Sequence, residues 1–410
     1  MTDRPYQLDG LPKIEGELPT KGISHSAFSK LSDCSLQGTL AILGVSPMLA
    51  FSIDAALGTA IHKFLDHAGK GDYEDLDEIR LKEQLENAIE NQTKLVEKIW
   101  YARSLLPLSR AKDSSVKKGW AVKRALAGLS GQGKKVEHRH ETKHRDDVMG
   151  LLVADRQAPI VEFTEPIGGE QPLSTADGFL RGEADRLYKD SDGVYVIEDW
   201  KTGDIFDNDG ELKMTVVDQL KNYGLMLYDQ TGEVPRLLAR PLKGDPVTVN
   251  CSEQELKDRR EMIDNEFSQK KEDLKKLATS EGRYRQLADP KNPSVCKFCS
   301  YRPICSTYLN KHFVTELELR QLDCIGTVTE ITSGIDDTKI IKIKHPHDDE
   351  VQTAIFIKRS LSRHPALNDI VSGDDVGVFN AWAGSHRRVH RDQRNTVVYK
   401  YTYRPFQLAI

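Results

Sequence analysis

Residues 182–203 read GEADRLYKDSDGVYVIEDWKTG, and this stretch decides the fold. β-branched and aromatic residues on both sides of a turn-rich centre predict two strands joined by a hairpin. Side chains alternate between the two faces of a strand, so Asp199 and Lys201 lie on one face and Trp200 on the other. A neighbouring strand would bring Asp185 alongside Asp199. Two carboxylates beside a lysine form a candidate site for Mg²⁺ or Mn²⁺, where the lysine would orient a water or stabilise phosphate charge.

Three further residues fit the same chemistry, although each also has a simpler interpretation. An Asp-x-Lys triplet by itself is most often a surface charge pair. Gln219 and Tyr223 share one face of a predicted helix, where they would contact a phosphate backbone, or the tyrosine would simply pack on the sheet. His62 lies four residues after Gly58 on an earlier helix and would add an imidazole ligand. A lone helical histidine is more often structural or solvated, so spacing leaves these roles open.

The surrounding pattern predicts a mixed α/β domain over residues 1–310. Apolar spacing indicates helices, one of them N-capped by Asp54, and β-branched runs indicate strands. The predicted helices cover 54–69, 76–106, 216–228 and 252–278, and the predicted strands cover 160–163, 178–188, 194–200 and 237–241. A charged and Gly-punctuated stretch over about 75–150 is interpreted as a helical insertion beside this core.

Residues 311–410 are predicted to form a second, small β-rich domain. Short strands are predicted at 325–331, 339–343, 353–357, 375–382 and 396–403, with a helical turn near 360–367. This pattern fits a small barrel such as an OB-fold. A loop over 384–394 carries four arginines close in sequence to four aromatic residues: Arg387, Arg388, Arg391, Arg394, Trp382, Tyr399, Tyr401 and Tyr403. Such a mixture suits single-stranded nucleic acid, or else the aromatics form a barrel core and the arginines a solvated loop.

Composition and charge bound the class of protein. The 410 residues are 38% hydrophobic and 30% charged, with a net charge of −5, which is typical of a soluble globular chain. The longest apolar stretch, 40–51, is about half of a membrane span and contains Pro47. Residues 1–21 lack a signal-peptide pattern, so a cytoplasmic protein without membrane contact is expected. Acidic residues exceed basic ones by seven over 182–218, whereas both flanks are basic, so the net charge does not exclude a nucleic-acid partner.

Four of the six cysteines have the spacing of a metal or cluster site. Three lie close together and the fourth candidate ligand is distant in sequence: Cys296, Cys299, Cys305 and Cys34. Four thiolates suit either an iron–sulfur cluster or Zn²⁺. In an intracellular chain such cysteines favour metal or redox chemistry over disulfides. The remaining two, Cys251 and Cys324, are interpreted as ordinary buried thiols.

Taken together, the motifs resemble those of the PD-(D/E)XK nuclease superfamily, and specifically its RecB-like branch. The matching motifs are Gly58-x-x-x-His62, Gly182-x-x-Asp185-Arg186, Asp199-Trp200-Lys201-Thr202-Gly203 and Gln219-x-x-x-Tyr223. The resemblance covers about 24–309 and implies a restriction-endonuclease-like mixed sheet with a helical N-terminal part. It implies a metal held by His62, Asp185, Asp199 and the main-chain carbonyl of Trp200. It also implies that Lys201 is catalytic and that Gln219 and Tyr223 assist at the substrate phosphates.

The cysteines resemble those of the iron–sulfur subgroup of this branch, which includes AddB-type subunits, CRISPR-adaptation nucleases and exonuclease V. One cysteine precedes the core and three follow it, which implies a structural [4Fe–4S] cluster on the four cysteines, with zinc as the alternative. Glu162 and Glu183 are weaker candidates for metal or supporting roles, and Arg186 would contact DNA or pair with a nearby acid. The sequence has no G-x-x-x-x-G-K-[ST] phosphate loop, so translocation would need a separate helicase or assembly partner.

The expected function is that of a divalent-metal-dependent deoxyribonuclease, acting as an exonuclease on single-stranded DNA or duplex ends. One alternative is a non-catalytic nucleic-acid-binding or assembly subunit, against which the intact Asp185, Asp199 and Lys201 set argues. Another is a duplex DNA endonuclease, which would cut circular DNA into discrete fragments. DNA repair, CRISPR adaptation and antiviral defence are all compatible with this chemistry.

Overall fold

A computed structural model describes most of the chain. The described residues are 7–8, 11, 13–14, 17–49, 52–129, 169–277, 280–292, 294–310, 321–335, 338–344, 351–356, 363–383, 389–393 and 395–402. The predicted strand 160–163 with Glu162, and the residues Arg387, Arg388, Arg394 and Tyr403, lie outside them. Within the described ranges, no helix combines the length and the apolar character that a membrane span requires.

Ten helices are described in the body, which we define as residues 17–310. They are α1 His25–Asp33, α2 Ser35–Ile42, α3 Ile53–Gly69, α4 Glu78–Lys98, α5 Ser114–Leu129, α6 Met214–Thr231, α7 Glu253–Lys275, α8 Ser280–Leu287, α9 Ser294–Phe298 and α10 Ser306–Asn310. The helix predicted over 76–106 is shorter than expected, since α4 is followed by two 3-10 turns, Arg103–Leu105 and Leu108–Arg110. Pro107 between them disfavours a continued helix.

The start of α3 differs from the prediction by two residues. Ser52, not Asp54, is the N-cap, because the Ser52 hydroxyl accepts a hydrogen bond from the Ala55 N–H at 3.1 Å. Asp54 lies in the first turn, where a carboxylate favours the positive end of the helix dipole. There it pairs with Lys117 of α5 at 3.0 Å. The predicted start of α7 is confirmed, with Ser252 as the N-cap of a capping box.

The strands up to residue 249 form two sheets in the body, except for β1, which belongs to the sheet of the C-terminal unit. They are β1 Gln7–Leu8, β2 Ile23–Ser24, β3 Gln171–Ser174, β4 Leu180–Ala184, β5 Arg186–Lys189, β6 Tyr195–Lys201, β7 Arg236–Pro241 and β8 Val247–Val249. β4 lies between β2 and β3, and the larger sheet has the order β5-β6-β7-β8. In the larger sheet β6 and β7 are parallel and the outer pairs are antiparallel, so the mixed α/β class is confirmed.

The predicted strand 178–188 is in fact two strands that belong to different sheets. β4 ends at Ala184 and β5 begins at Arg186, so Asp185 lies at the break between them. The Asp185 carboxylate accepts a hydrogen bond from the Trp200 N–H on β6. Because this bond reaches across from one strand to the next, the break carries the Asp185 side chain towards the end of β6.

The C-terminal unit, residues 321–402, contains the predicted strands and the predicted helical turn. Its elements are β9 Gln321–Ser333, β10 Lys339–Lys344, β11 Val351–Phe356, α11 Ala366–Asp369, β12 Asp375–Ala383, β13 Val389–Arg391 and β14 Val397–Tyr401. β9, β10 and β11 pair antiparallel, β13 runs parallel to β11, and β12 pairs with β13, β14 and β9. The strand pairing therefore runs in a circuit that returns to β9. β1 adds to the sheet beside β14.

Aromatic residues of this unit join it to the body. Tyr399 and Tyr401 belong to the main apolar core, and they are 1% and 5% exposed. The Tyr399 hydroxyl donates to the Met48 carbonyl at 2.6 Å, and the Tyr401 hydroxyl donates to the Pro303 carbonyl at 2.9 Å. Neither ring has the exposed face that base stacking needs. These two rings pack in the main core of the body and not in a separate barrel core.

Candidate active site

Asp185 and His62 come together from elements that are far apart in sequence. His62 lies on α3, and its Nδ1 is 3.3 Å from Asp185 Oδ1. The other Asp185 oxygen accepts the Trp200 N–H. The Asp185 side chain is 13% exposed and the His62 side chain 27%, so both are open to a small ligand from one side. The two groups therefore form the outer edge of a polar site at the end of β6.

Asp199, Lys201, Gln219 and Tyr223 form a connected network between β6 and α6. Gln219 Nε2 donates to Asp199 Oδ1 at 3.1 Å and to the Tyr223 hydroxyl at 2.9 Å. Lys201 Nζ donates to Gln219 Oε1 at 2.7 Å and makes an ion pair with Asp199. The predicted alternation on β6 and the predicted one-turn spacing on α6 account for this convergence. Gln219 is the central residue, because its amide holds the carboxylate, the ammonium and the phenol together.

Two motif glycines are required by close approach to this network. A Cβ atom on Gly58 would lie 2.6 Å from Thr202 Oγ1, and a Cβ atom on Gly182 would lie 2.6 Å from the Tyr223 ring. Such distances are shorter than van der Waals contact, so a side chain at either position would displace its neighbour. Gly58 thus lets α3 bring His62 against the end of β6, and Gly182 makes room for Tyr223.

The electrostatics of the site suit a cation. Burial raises the pKa of Asp199, as does the negative charge of Asp185, while the Lys201 ammonium opposes the shift. Burial of the His62 ring lowers its pKa, but the hydrogen bond and charge of Asp185 outweigh this, so the pKa of His62 is raised. Asp199 Oδ2 is buried and faces the Lys201 ammonium. Two carboxylates and an imidazole are donor types that a divalent ion takes in proteins.

The donors are not drawn together as tightly as bound metal ligands. Among the described residues, no group of three or more His, Cys, Asp or Glu side chains has the geometry of a metal site. His62, Asp185 and Asp199 nevertheless face one another through the contacts and charge interactions given above. Their oxygen and nitrogen atoms are the types that Mg²⁺ or Mn²⁺ takes in proteins.

Arg186 pairs with a nearby acid, one of the two roles that the sequence left open. Its guanidinium is 3.3 Å from Glu198 Oε2. Arg240 on β7 donates two hydrogen bonds to the same carboxylate, of 2.9 and 2.6 Å. The Tyr188 hydroxyl also donates to it, at 2.7 Å. Glu198 is fully buried. Since Glu198 alternates with Asp199 on β6, this ion network lies on the opposite face of the strand.

Trp200 belongs to that opposite face. Its ring lies 5.3 Å from the Arg240 guanidinium and 6.0 Å from that of Arg124 on α5. Arg124 also donates to the carbonyls of Leu242 and Gly244. The side chain of Trp200 thus lies close to two guanidinium groups, while its main-chain N–H donates to Asp185. These contacts fix the backbone between Asp199 and Lys201.

The sequence missed two acidic residues beside the site. Glu198 was hidden because it adjoins Asp199, and only strand pairing with β5 and β7 reveals its partners. Glu170 lines a cleft with His62 and Thr202, and its pKa is raised to about 7 by burial and by the charges of Asp66, Glu183 and Asp185. Glu170 follows the stretch that the sequence analysis interprets as an insertion, and no local pattern marks it. Glu183, a weaker candidate, is exposed.

The four candidate cysteines line a single cavity in the body. Cys34 precedes α2, Cys296 lies on α9, and Cys299 and Cys305 flank a 3-10 turn. Burial raises the pKa of Cys296 to about 11 and that of Cys299 to about 12. The four cysteines thus line the same cavity, but among the described residues they do not form a group with the geometry of a metal site. Of the other two cysteines, Cys324 is fully buried, as predicted, and Cys251 is partly exposed.

A second polar feature lies on the C-terminal unit. Trp382 on β12 is directly opposite Arg391 on β13 in an antiparallel pair, so their side chains share one face. Trp382 is 42% exposed and Arg391 is exposed. Of the predicted binding arginines in this unit, Arg391 is the described one.

Comparison with known families agrees with this geometry. A family model described as the PD-(D/E)XK nuclease superfamily matches residues 22–306. The matched span includes all residues of the carboxylate site and the four cysteines of the cavity, and it ends before the C-terminal unit. No curated protein matches the chain significantly.

We expect Glu198→Gln to lower the free energy of unfolding by about 2–4 kcal/mol, because two partly buried arginines lose their charged partner. The arginines lower the pKa of Glu198 against the effect of burial. Its contribution is therefore fully present above the ordinary glutamate pKa of about 4.3 and is lost as the pH falls through the lowered value. Denaturant unfolding at neutral and acidic pH measures both effects.

The matched control for this change is Glu233→Gln. Glu233 pairs with Lys189 at 3.5 Å, and both side chains are about half exposed. Removing such a pair should change stability by less than about 1 kcal/mol. An equal loss of stability in the two variants would contradict the special role of the Glu198 network.

Proposed function

Since the chain belongs to the PD-(D/E)XK nuclease superfamily, we propose that it is a divalent-metal-dependent deoxyribonuclease of the RecB-like branch. Its substrates are single-stranded DNA or duplex ends, from which it removes nucleotides as an exonuclease. The observation that carries the proposal is the network of Asp199, Lys201 and Gln219 beside the Asp185–His62 pair. A purely structural hairpin has no need for two neighbouring carboxylates, a lysine and an imidazole at the end of one strand.

Each residue of the site has a role in this proposal. His62, Asp185, Asp199 and the carbonyl of Trp200 would hold the ion, which when bound supplies Lewis-acid chemistry at the phosphate. The amide of Gln219 fixes the position of the Lys201 ammonium. There the ammonium stabilises negative charge that develops on the phosphate oxygens. Tyr223 keeps Gln219 in place through their hydrogen bond.

The cysteine cavity supports the placement in the iron–sulfur subgroup. We propose that the four cysteines hold a [4Fe–4S] cluster that ties the N-terminal part of the body to the segment after α8. The donor set fits, because four thiol groups line one enclosed space. Such a cluster binds thiolates, whereas burial raises the pKa values of these four thiols. The positive charge of the bound metal would therefore have to stabilise the thiolates in place of water.

The pairing circuit of the C-terminal unit supports an OB-like barrel that binds nucleic acid. Five strands in the order β9-β10-β11-β13-β12, returning to β9, with α11 between β11 and β12, are compatible with that architecture. Trp382 and Arg391 would supply a stacking surface and a phosphate contact for a single strand. The unit would then hold the strand that the body cleaves.

Lys201→Ala and Asp199→Asn are each expected to reduce metal-dependent cleavage at least about 100-fold, because they remove a charge that acts directly at the phosphate or its metal. Lys257→Ala is the control, since Lys257 lies exposed on α7 and pairs with Glu253. End-labelled single-stranded, duplex and circular DNA with Mg²⁺ or Mn²⁺ serve as substrates, and circular dichroism checks folding. Cleavage retained in both site variants would contradict the assignment of the active site. DNA binding without turnover by the wild type would favour a non-catalytic subunit. Cutting of circular DNA would favour an endonuclease.

Protein purified without oxygen is expected to be coloured and to contain iron and sulfide. Fe–S clusters absorb visible light, whereas a zinc site on the same thiolates is colourless. Cys299→Ser should lose the colour and the iron, while Cys251→Ser, outside the cavity, should retain both. Elemental analysis that finds zinc and no iron would contradict the cluster and support a zinc site on the same cysteines.

Trp382→Ala is expected to weaken single-strand binding by about 10-fold, the equivalent of one lost base stack. Arg391→Ala should weaken binding and also reduce its dependence on salt, since a phosphate contact releases counterions. Ile335→Ala is the control, because Ile335 is an exposed apolar residue of the same unit. Fluorescence anisotropy with labelled oligonucleotides at several salt concentrations measures these effects. Unchanged affinity in both variants would remove this surface from the proposal.

A further inference from the structure

A buried arginine connects the cysteine cavity to the C-terminal unit. Arg302 lies between Cys299 and Cys305, and its Nε donates to Asp323 Oδ2 on β9 at 2.8 Å. The two side chains are 5% and 4% exposed. We propose that Arg302 is the positioning residue of the cysteine site, and that it links occupancy of that site to docking of the C-terminal unit. This inference rests on the proposal that the four cysteines hold a metal centre.

Towards the cysteines, Arg302 organises the main chain of the loop that carries two of them. Its Nη1 donates to the carbonyls of Cys296 at 3.4 Å and Cys299 at 3.2 Å, and also to that of Lys297. Three carbonyls gathered on one guanidinium fix the turn between Cys296 and Cys299.

Towards the C-terminal unit, the same guanidinium meets an irregular point in β12. Arg302 Nη2 donates to Asn380 Oδ1 at 2.6 Å. Asn380 has a φ of 59°, and the pairing of β12 with β9 shifts between Val378 and Ala381. A non-glycine residue in the left-handed region at a bulge is held there by its surroundings. In this case the surroundings include Arg302 and the Asp323 carboxylate, which accepts the Asn380 N–H at 2.8 Å, together with hydrogen bonds to Asn395 and Thr396.

Tyr308 provides a second connection between the same two places. Its hydroxyl donates to Asp323 Oδ2 at 2.7 Å, and its N–H donates to Cys305 Sγ at 3.4 Å. Asp323 is therefore joined through Arg302 to the loop of Cys296 and Cys299, and through Tyr308 to Cys305. The Asp323 carboxylate of the C-terminal unit is thereby connected to the parts of the chain that carry Cys296, Cys299 and Cys305.

A linkage follows from this arrangement. If metal binding stabilises the loop geometry that Arg302 requires, docking of Asp323 must stabilise metal binding by the same free energy. A buried charged pair strengthens the coupling, because separating the units would leave either charge without its partner. Groups that orient metal ligands from outside commonly change metal affinity about 10–100-fold when they are removed.

The test uses the full-length protein purified without oxygen. Asp323→Asn and Arg302→Lys are expected to release the bound metal to a chelator about 10–100-fold faster than the wild type. The lysine variant keeps the charge but loses the planar set of donors, so charge alone should not rescue retention. Asp392→Asn is the matched control, since Asp392 is a buried carboxylate of the same unit that pairs with Arg363 and His364. Its release rate should remain close to that of the wild type.

The reciprocal measurement is amide hydrogen exchange with and without metal. Removing the metal from the wild type should increase exchange in β9 near Asp323 and in β12 near Asn380. Equal release rates in wild type and both linkage variants, with no change of exchange in these strands, would overturn the linkage and leave the cysteine site standing. A wild-type protein that contains neither iron nor zinc would overturn both. Equally rapid release in the Asp392→Asn control would show general destabilisation and would also overturn the linkage.

Discussion

The hydrogen bond from the Trp200 N–H to Asp185 is the contact on which the candidate active site depends. Asp185 lies where the chain leaves the sheet of β4 and enters the sheet of β5. Its carboxylate therefore joins the break between two sheets to the end of β6, and through His62 it reaches α3 as well. A regular strand through Asp185 would direct the side chain by alternation alone. The break frees it to face Asp199, so local irregularity is what creates the site.

Burial of Asp199 explains why the neighbouring residues must be so closely arranged. Its side chain is 4% exposed, and an isolated buried carboxylate costs several kcal/mol. Lys201 and Gln219 offset that cost by an ion pair and a hydrogen bond. A divalent ion at Asp199 would compete with Lys201 for the same carboxylate. Gln219 Oε1 accepts a hydrogen bond from the Lys201 ammonium at 2.7 Å, so the ammonium has a second partner in the site besides the carboxylate.

The alternation of side chains along strands and the one-turn spacing along helices made part of the candidate site predictable from the sequence. Strand alternation placed Asp199 and Lys201 together, and helix spacing placed Gln219 with Tyr223. Partners that depend on tertiary register were not predictable in the same way. The β5–β6 register places Arg186 opposite Glu198, but only the pairing of β7 with β6 brings Arg240 to the same carboxylate. Tyr399 is buried because the C-terminal unit packs on the body. Likewise, the sequence analysis predicted Asp54 as the N-cap of α3, whereas the structure has Ser52 there, because either residue type satisfies the local pattern.

The cysteine cavity shows how packing contacts bring together segments that are distant in sequence. The N–H groups of Met48 and Leu49 both donate to the Ser300 carbonyl, at 3.0 and 3.1 Å, and the Tyr301 hydroxyl donates to the Val45 carbonyl at 2.7 Å. These bonds hold the segment after α2 against the loop of Cys299. Ordinary packing therefore brings Cys34 to the cavity lined by Cys296, Cys299 and Cys305. A metal centre bound there, as proposed, would not have to bear the entropy of closing so long a loop, and its binding free energy would act on the loop that Arg302 contacts.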